Sequence, residues 1–552
     1  MIHTKNNKFY LNLPIKMKFW NWLRIMAHAQ FQTILFILLS AISIYYFWLY
    51  LQNGLGLSYN DARSHLDIGR RVVEGLKPGL AQLGSVWLPL NHVLMIPLIW
   101  NDWAWHSGFA GAIWNMISFV GCGLVISMFL KKLRVGILGR LVGVAVFAAN
   151  INVLYLQSTA MTEIILLFTM TMGCYYLLVW HMEDTMLDLI KAAFWIMLAT
   201  LVRYDGWFLL GLSGLLVIRQ VWARHMRQDG WKLGWSKIEG ATILFASLAA
   251  LGVLSWFAWN QLIFGDALYF ALGPFSAHAQ QLIMEAAGAL PTKHNLLLSI
   301  NVYFYALFYS TYTYPAILAS IGTLVLWRDK SLTQFSKWGT TALMAPLFFN
   351  ILALFLGFSV IYVQGISGDT WFNIRYGIML MPTIAIFIGY LVDRAKIFRS
   401  LIIGSLIFVL FFAFNSGDAV AIDDARVGSS QKNVSEVSGY LHKHASKEKG
   451  FILISAASHD AIIFSSKLPM KRFIHEGTGL YWEHATTLPD RWAKWIVMRT
   501  YDDNDLTWRA VSKAPGFKYY NKVAAYPFAD VYQLQASLSG SLNVEASLGK
   551  QK

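Results

Sequence analysis

The sequence predicts an α-helical polytopic membrane protein of about eleven transmembrane helices. The N-terminus is placed inside and the C-terminus outside, with a helical first outer loop and a small C-terminal extracytoplasmic α/β domain. Three observations carry this reading. The 552 residues are 56% hydrophobic and 14% charged, too apolar for an ordinary soluble globule. Apolar runs recur as far as residue 416, many of them near the ~20 residues that carry a helix across a ~30 Å hydrocarbon core. Beyond residue 416 the pattern changes to a short helical stretch and alternating, strand-like runs.

Spans are expected at 31–52, 104–130, 137–156, 160–180, 188–202, 206–223, 240–264, 298–327, 337–360, 376–393 and 399–416. The first follows a basic segment (Lys5, Lys8, Lys16, Lys18, Arg24) and is too long for the apolar part of a signal peptide, so it reads as a retained signal anchor. Alternate loops differ in charge. One set holds Lys131, Lys132, Arg134, Arg224, Arg227, Lys232, Lys237, Arg328 and Lys330, and only its 181–187 loop is acidic. The other set (53–103, 157–159, 203–205, 265–297, 361–375) has few cations. Because cytoplasmic loops collect Lys and Arg, the first set is expected inside. That bias also accounts for the formal charge of +15, so no nucleic-acid partner is implied. Cys122 and Cys174 each fall inside a predicted span with no CxxC or ligand spacing, which argues against a disulfide framework or a zinc site.

Segment 88–100, led by Trp87 and containing His92, is apolar but short and broken by Pro89 and Pro97. It fits an interfacial or re-entrant helix better than a span, and its tryptophans suit the headgroup level. The first outer loop is therefore expected to be a cap of two helices lying along the membrane. The chain divides into residues 1–416 and an α/β domain at 417–552. In the latter a helix is expected at 433–445, strands at 451–455 and 492–498, closing runs at 519–534, and a disordered Ser/Gly-rich tail from about 537. Asn433-Val-Ser435 forms a glycosylation sequon, meaningful only in a host with that machinery. No internal repeat is evident.

The candidate residues gather at predicted outer ends. Asn60, Asp61 and His65 stand in LSYNDARSHLDIGRRVV, with Asp61 and His65 at i, i+4 on one helix face. A carboxylate there can take a proton from an attacking hydroxyl, and the imidazole can orient it or tune its pKa. The alternative is a capping box formed by Ser58-x-x-Asp61. Glu163, in STAMTEIILLF, is an acid inside apolar sequence, either functional or holding two helices together. Arg203 and Asp205 can neutralise each other. Arg203 and Arg375 are nonetheless among few outward cations, and a guanidinium fork suits a phosphate as well as it suits snorkelling to lipid. Trp371 and Tyr376 can stack on a sugar or anchor the interface. Asp423-Asp424 and Asp502-Asp503 read as solvated acid pairs. No GxxxxGK(S/T) or GxGxxG precedes a helix in a βαβ setting, so a nucleotide-driven pump is not supported.

The order of these motifs resembles the GT-C superfamily of integral-membrane glycosyltransferases over roughly residues 30–390. Nearer relatives are protein O-mannosyltransferases and the bacterial enzymes that move aminoarabinose or other sugars from polyprenyl phosphate. The resemblance rests on Asn60-Asp61, the S-T-A-M-T-E run ending at Glu163, the Arg203-Tyr-Asp-Gly turn and Asn373-Ile-Arg375-Tyr376. Many relatives have two adjacent acids in the first loop, whereas here Asp61 follows an Asn. A WWDYG-type signature is missing, which argues against transfer of a whole oligosaccharide.

The resemblance implies transfer of a sugar from a polyprenyl-phosphate donor to a hydroxyl of a lipid, glycan or protein acceptor. The reaction is expected on the extracytoplasmic face of the cell (plasma or inner) membrane, among membrane lipids, with inversion. Asp61 would be the base beside His65. Arg375 and Arg203 would hold the phosphate, and Tyr376, Glu163, Asn60, His92 and Trp87 would complete the substrate site. No cofactor and no metal is demanded, although a divalent ion is compatible with the chemistry. The rival class is a secondary transporter or lipid-linked-sugar flippase, whose polar sites tend to lie at mid-bilayer rather than at one end. A third, a membrane scaffold displaying residues 417–552, leaves the loop acids unexplained. The charge alternation makes a topological prediction. Single cysteines placed at 265–297 should react with an impermeant maleimide from outside intact cells, and those at 328–336 only after lysis; the reverse labelling would invert the topology.

Overall fold

A computed structural model of the protein describes residues 14–226, 230–274, 276–428 and 434–542. Among them, seven helices are long and apolar enough to cross a membrane: Gln30–Gln52, Phe109–Lys132, Glu163–Glu183, Asp205–His225, Gln334–Leu356, Ile374–Arg394 and Lys396–Val427, the last made of the apolar helix Arg399–Ser416 and, after a break, the short helix Val420–Val427. The pair Gly230–Ala249 and Leu251–Phe264, bent by 46°, is an eighth candidate. The other three expected spans are shorter or broken. The 137–156 run is split into Ile137–Ala148 and Ile151–Leu156 by Asn150, whose side chain caps the second helix at Val153 N. The 188–202 run is the 15-residue helix Met186–Thr200. The 298–327 run breaks at Tyr312, where φ is +66°, into Leu296–Thr311 and Thr313–Arg328.

Small residues set the closest packing. Gly139 and Gly143, four apart, bring the Ile137–Ala148 helix onto Gly389 of the buried helix Met381–Arg394, and a Cβ on Gly139 would fall 2.6 Å from the Gly389 carbonyl oxygen. In lipid, where apolar burial between helices gains little, such backbone approach is a main source of association. The outermost helices present Ile34, Ile37, Phe408 and Phe411 outward, a face suited to lipid. At one end of the bundle, Asp184 pairs with Arg224 at 2.8 Å and Asp329 with Arg394 at 3.0 Å. The acidic 181–187 loop is thus neutralised by a neighbouring basic loop at the same end.

At the other end lies the loop between the first two long helices. It holds the helix Asn60–Val73, the ten-residue helix Leu90–Ile99 with Pro97 inside, and Asp102–His106. Arg70 locks the three together. Its guanidinium donates to the carbonyls of Ile99 (2.8 Å) and Trp100 (2.7 Å) and to Asp102 (2.6 Å), and lies 4.5 Å from the Trp105 ring.

The C-terminal part contains a five-stranded sheet: β1 Phe451–Ile454, β2 Phe473–Ile474, β3 Ala493–Met498, β4 Tyr520–Ala525 and β5 Asp530–Leu534. The order is β2-β1-β3-β5-β4, with β1 parallel to β2 and β3 and the β3–β5 and β4–β5 pairs antiparallel. The expected helix is Ser435–Ala445, with Asn433 of the sequon outside the described residues. Where a disordered tail was expected, Ala536–Ser541 forms a 3₁₀ turn, and residues 543–552 lie outside the description.

This part docks on the first loop through the helix Ala456–Ser465, where Phe464 meets the Trp105 ring edge-on at 6.0 Å. Asp67 is buried there, with Oδ1 accepting from Trp105 Nε1 at 3.1 Å and Oδ2 without a partner. Burial, and then Asp460 on the docking helix, push its carboxyl well above the usual range. A carboxyl held protonated in the folded state stabilises that state fully below its unfolded pKa near ~4, and the contribution is lost as pH rises through the folded value. Asp67→Asn should therefore lose less thermal stability than wild type between pH 5 and pH 8; equal losses would show that the Asp67 carboxyl is not held protonated in the interface.

Candidate active site

Three helices begin at one place, each with an acid in its first turn: Asp61 in Asn60–Val73, Glu163 in Glu163–Glu183 and Asp205 in Asp205–His225. Helix N-termini carry about half a positive charge each, so they favour carboxylates there. A fourth acid, Asp424, comes from the helix Val420–Val427 beyond the last long apolar helix.

Two arginines knit the four acids together. Arg375 Nη2 donates to Asp61 Oδ2 at 2.6 Å, Nε to Glu163 Oε1 at 3.0 Å and Nη1 to Asp424 Oδ2 at 3.4 Å. Arg203 Nη1 reaches Glu163 Oε1 at 3.3 Å and Thr162 Oγ1 at 3.2 Å, while its Nε reaches Asp205 Oδ2 at 3.4 Å. Tyr59 donates its hydroxyl to Asp424 at 2.9 Å, and its ring centroid lies 4.5 Å from the Arg375 guanidinium. Tyr376 packs its ring against both cations, 4.5 Å from Arg203 and 5.4 Å from Arg375. Exposure then separates the members. The side chains of Glu163 and Asp424 are fully buried and that of Arg375 is 2% exposed, but Arg203 is 18% and Asp61 34% exposed. Asp61 is the carboxylate of the network that reaches solvent.

Local sequence explains how Arg375 arrives there. It sits in a 3₁₀ turn, Ile374–Leu380, entered through Asn373 at φ +53°, whose amide donates to Val360 O at 3.0 Å. Gly377 lets this turn touch the helix Leu296–Thr311, since a Cβ would lie 2.1 Å from Ala306 O. Ser310 Oγ donates to Ile374 O at 3.0 Å, and Ser310 O accepts from both Asn150 and Asn152.

Asp61, Glu163, Arg203, Arg375 and Tyr376 therefore converge, while the Asn60 side chain accepts from Arg63 at 3.5 Å. Four expectations are corrected. Asp61 is not a cap: the helix is capped at Tyr59 with no side-chain bond, and the Asp61 carboxylate faces Arg375 instead. His65 does not orient Asp61; its Nδ1 meets His92 Nε2 at 2.8 Å, and its ring lies 4.4 Å from that of Trp87. Arg375 does not stand open at the surface: it is buried, and three of its five N–H groups face carboxylates. Asp424 is not solvated but fully buried against Arg375 and Tyr59. Sequence reading missed Tyr59 and Asp424, since an Asp pair in a polar stretch ordinarily faces water. Among the described residues no group of three or more His, Cys, Asp or Glu side chains could hold a metal ion.

The fold is that of a known membrane enzyme structure. ArnT from Cupriavidus metallidurans, solved bound to undecaprenyl phosphate, superimposes with a TM-score of 0.54 at 11% identity, covering 93% of this chain and 99% of that one. The archaeal oligosaccharyltransferase AglB from Archaeoglobus fulgidus, solved with an inhibitory peptide and a dolichol-phosphate, gives 0.46 at 10% identity over 93% and 75% of the two chains. No protein-family model matches the sequence, and no curated protein matches it. The chain is thus a helical membrane protein with the GT-C fold that its motifs resemble.

Removing one member of a buried ion pair costs about 3–5 kcal/mol, because the partner keeps an uncompensated charge, whereas an exposed pair contributes about 0–1 kcal/mol. Glu163→Ala, which removes the fully buried carboxylate that both arginines share, should lower the thermal stability of the purified protein well below that of Asp61→Ala. Equal losses would mean that Glu163 does not bridge the arginines.

Proposed function

We propose that the protein is an inverting glycosyltransferase that moves a sugar from a polyprenyl-phosphate donor to an acceptor hydroxyl on the extracytoplasmic face of the membrane. The observation that carries this reading is the Asp61 carboxylate, one-third exposed and ion-paired at 2.6 Å to a buried arginine. Such a group is fixed in direction and accessible, which is what a general base for a hydroxyl requires. The likeness to ArnT supports the donor class, since that structure holds undecaprenyl phosphate.

In this mechanism the acceptor hydroxyl gives its proton to Asp61 as its oxygen bonds to the anomeric carbon. The bond from that carbon to the phosphate oxygen breaks on the opposite face, and polyprenyl phosphate leaves with the electron pair. One in-line displacement inverts the configuration. The leaving phosphate is a weak base and needs charge stabilisation rather than a proton. Arg375 serves Asp61, so the cation for the phosphate is Arg203, the more exposed of the two. The donor arrives activated and lipid-bound, so no nucleotide takes part.

The test uses purified protein in nanodiscs, radiolabelled undecaprenyl phosphate for binding and undecaprenyl-phosphate pentoses and hexoses for turnover. Asp61→Asn should bind undecaprenyl phosphate within a few-fold of wild type while turnover falls by roughly 10²–10⁴, the usual contribution of a general base. Full turnover in Asp61→Asn would remove Asp61 from the chemistry.

A further inference from the structure

The histidine pair beside Asp61 has no part in the mechanism above. His65 and His92 come from two different helices of the first loop and are 4% and 0% exposed. They meet through His65 Nδ1 and His92 Nε2 at 2.8 Å. The second nitrogen of His92, Nδ1, is sealed from solvent and has no partner among the described residues. The second nitrogen of His65, Nε2, makes no hydrogen bond among the described residues and, unlike His92 Nδ1, is not sealed from solvent. Trp87, 37% exposed, covers the His65 ring.

A neutral imidazole carries one N–H, and the contact between the rings admits two arrangements. In one, His65 donates from Nδ1, which puts the His92 proton on Nδ1, a buried N–H with no acceptor. In the other, His92 donates from Nε2 and leaves only a lone pair at Nδ1. Orphaned buried N–H groups are rarer than orphaned acceptors, so the sealed Nδ1 favours the second arrangement. His65 is then left with its proton on Nε2. Burial first, and next Arg203 and Arg375, hold His65 down to about 3, so it stays neutral at physiological pH.

We infer that His65 presents a fixed, neutral Nε2–H beside Asp61 to an oxygen of the donor's phosphate ester, and that His92 is the positioning residue that sets this tautomer. The inference rests on the transferase reading for the identity of the phosphate. It adds a neutral donor beside the Arg203 cation, while Arg375 is buried and engaged with three carboxylates. A neutral imidazole can polarise developing charge at an oxygen without giving up its proton, which suits a leaving group that needs no protonation.

The test measures undecaprenyl phosphate binding, kcat and KM, and the tautomer by ¹⁵N NMR of histidine-labelled protein in nanodiscs. Wild type should show His65 with a protonated Nε2 and a bare Nδ1. His65→Phe should weaken undecaprenyl phosphate binding and lower kcat/KM by roughly 10–100-fold, the scale of a lost hydrogen bond to a charged group. His92→Leu should release the tautomer and lower kcat more than it raises KM, whereas His92→Gln, whose amide can still donate to His65 Nδ1, should restore most of it. A purely structural role predicts equal losses in His92→Leu and His92→Gln, and that result, or a protonated His65 Nδ1 in wild type, would overturn the inference alone. Absence of undecaprenyl phosphate binding in wild type would overturn the transferase reading and the phosphate role with it.

Discussion

Arg375 is the residue on which the site closes. Its buried guanidinium ties Asp61 of the first loop, Glu163 at the head of a long helix and Asp424 beyond the last one, so three distant stretches of chain meet on one cation. A buried charge is expensive unless fully paired. The geometry that pairs it also points the exposed carboxylate: Asp61 is accessible because Arg375 is not. With four acids against two arginines, the network carries an excess of negative charge. Three helix N-termini converging on the acids supply most of the difference, at about half a charge each. The helix bundle is therefore part of the electrostatics of the site as well as its scaffold.

That arrangement assigns the two arginines different work. Arg375 is buried among three carboxylates and held by the Asn373 turn and the close approach of Gly377 to Ala306. Arg203 sits in a turn between helices, is partly exposed, and shares Glu163 with Arg375 through one oxygen. A ligand reaching Arg203 is linked to Asp61 through three hydrogen bonds, by way of Glu163 and Arg375. The C-terminal part is joined to the same centre twice. Asp424 enters the network directly, and the helix Ala456–Ser465 packs on the helix that carries Asp61 and His65.

Much of this was legible in the sequence, for a physical reason. Charges are rare in apolar segments because they are costly there, so Glu163, Arg203 and Arg375 stood out and could be expected to meet. The short Pro-broken segment after Trp87 read correctly as a helix too short to span. What was hidden depends on contacts between distant segments. Asp424 lies in a polar stretch whose local pattern is that of solvated acid, and only the return of the chain after the last long helix buries it. His65 and Asp61 do lie one turn apart, but the pairing of His65 with His92 depends on how two loop helices cross. The span count was blurred where a single residue, Asn150 or Tyr312, breaks an otherwise continuous apolar run.

The account turns on which residues meet the donor phosphate. A cryo-electron microscopy structure of the full chain in nanodiscs with undecaprenyl phosphate tests it most directly. The account predicts phosphate density within hydrogen-bond reach of Arg203 and His65 Nε2, on the exposed side of Asp61, with the Arg375–Asp61 pair intact. Phosphate seated on Arg375 with Asp61 displaced, or bound away from this network, would contradict it.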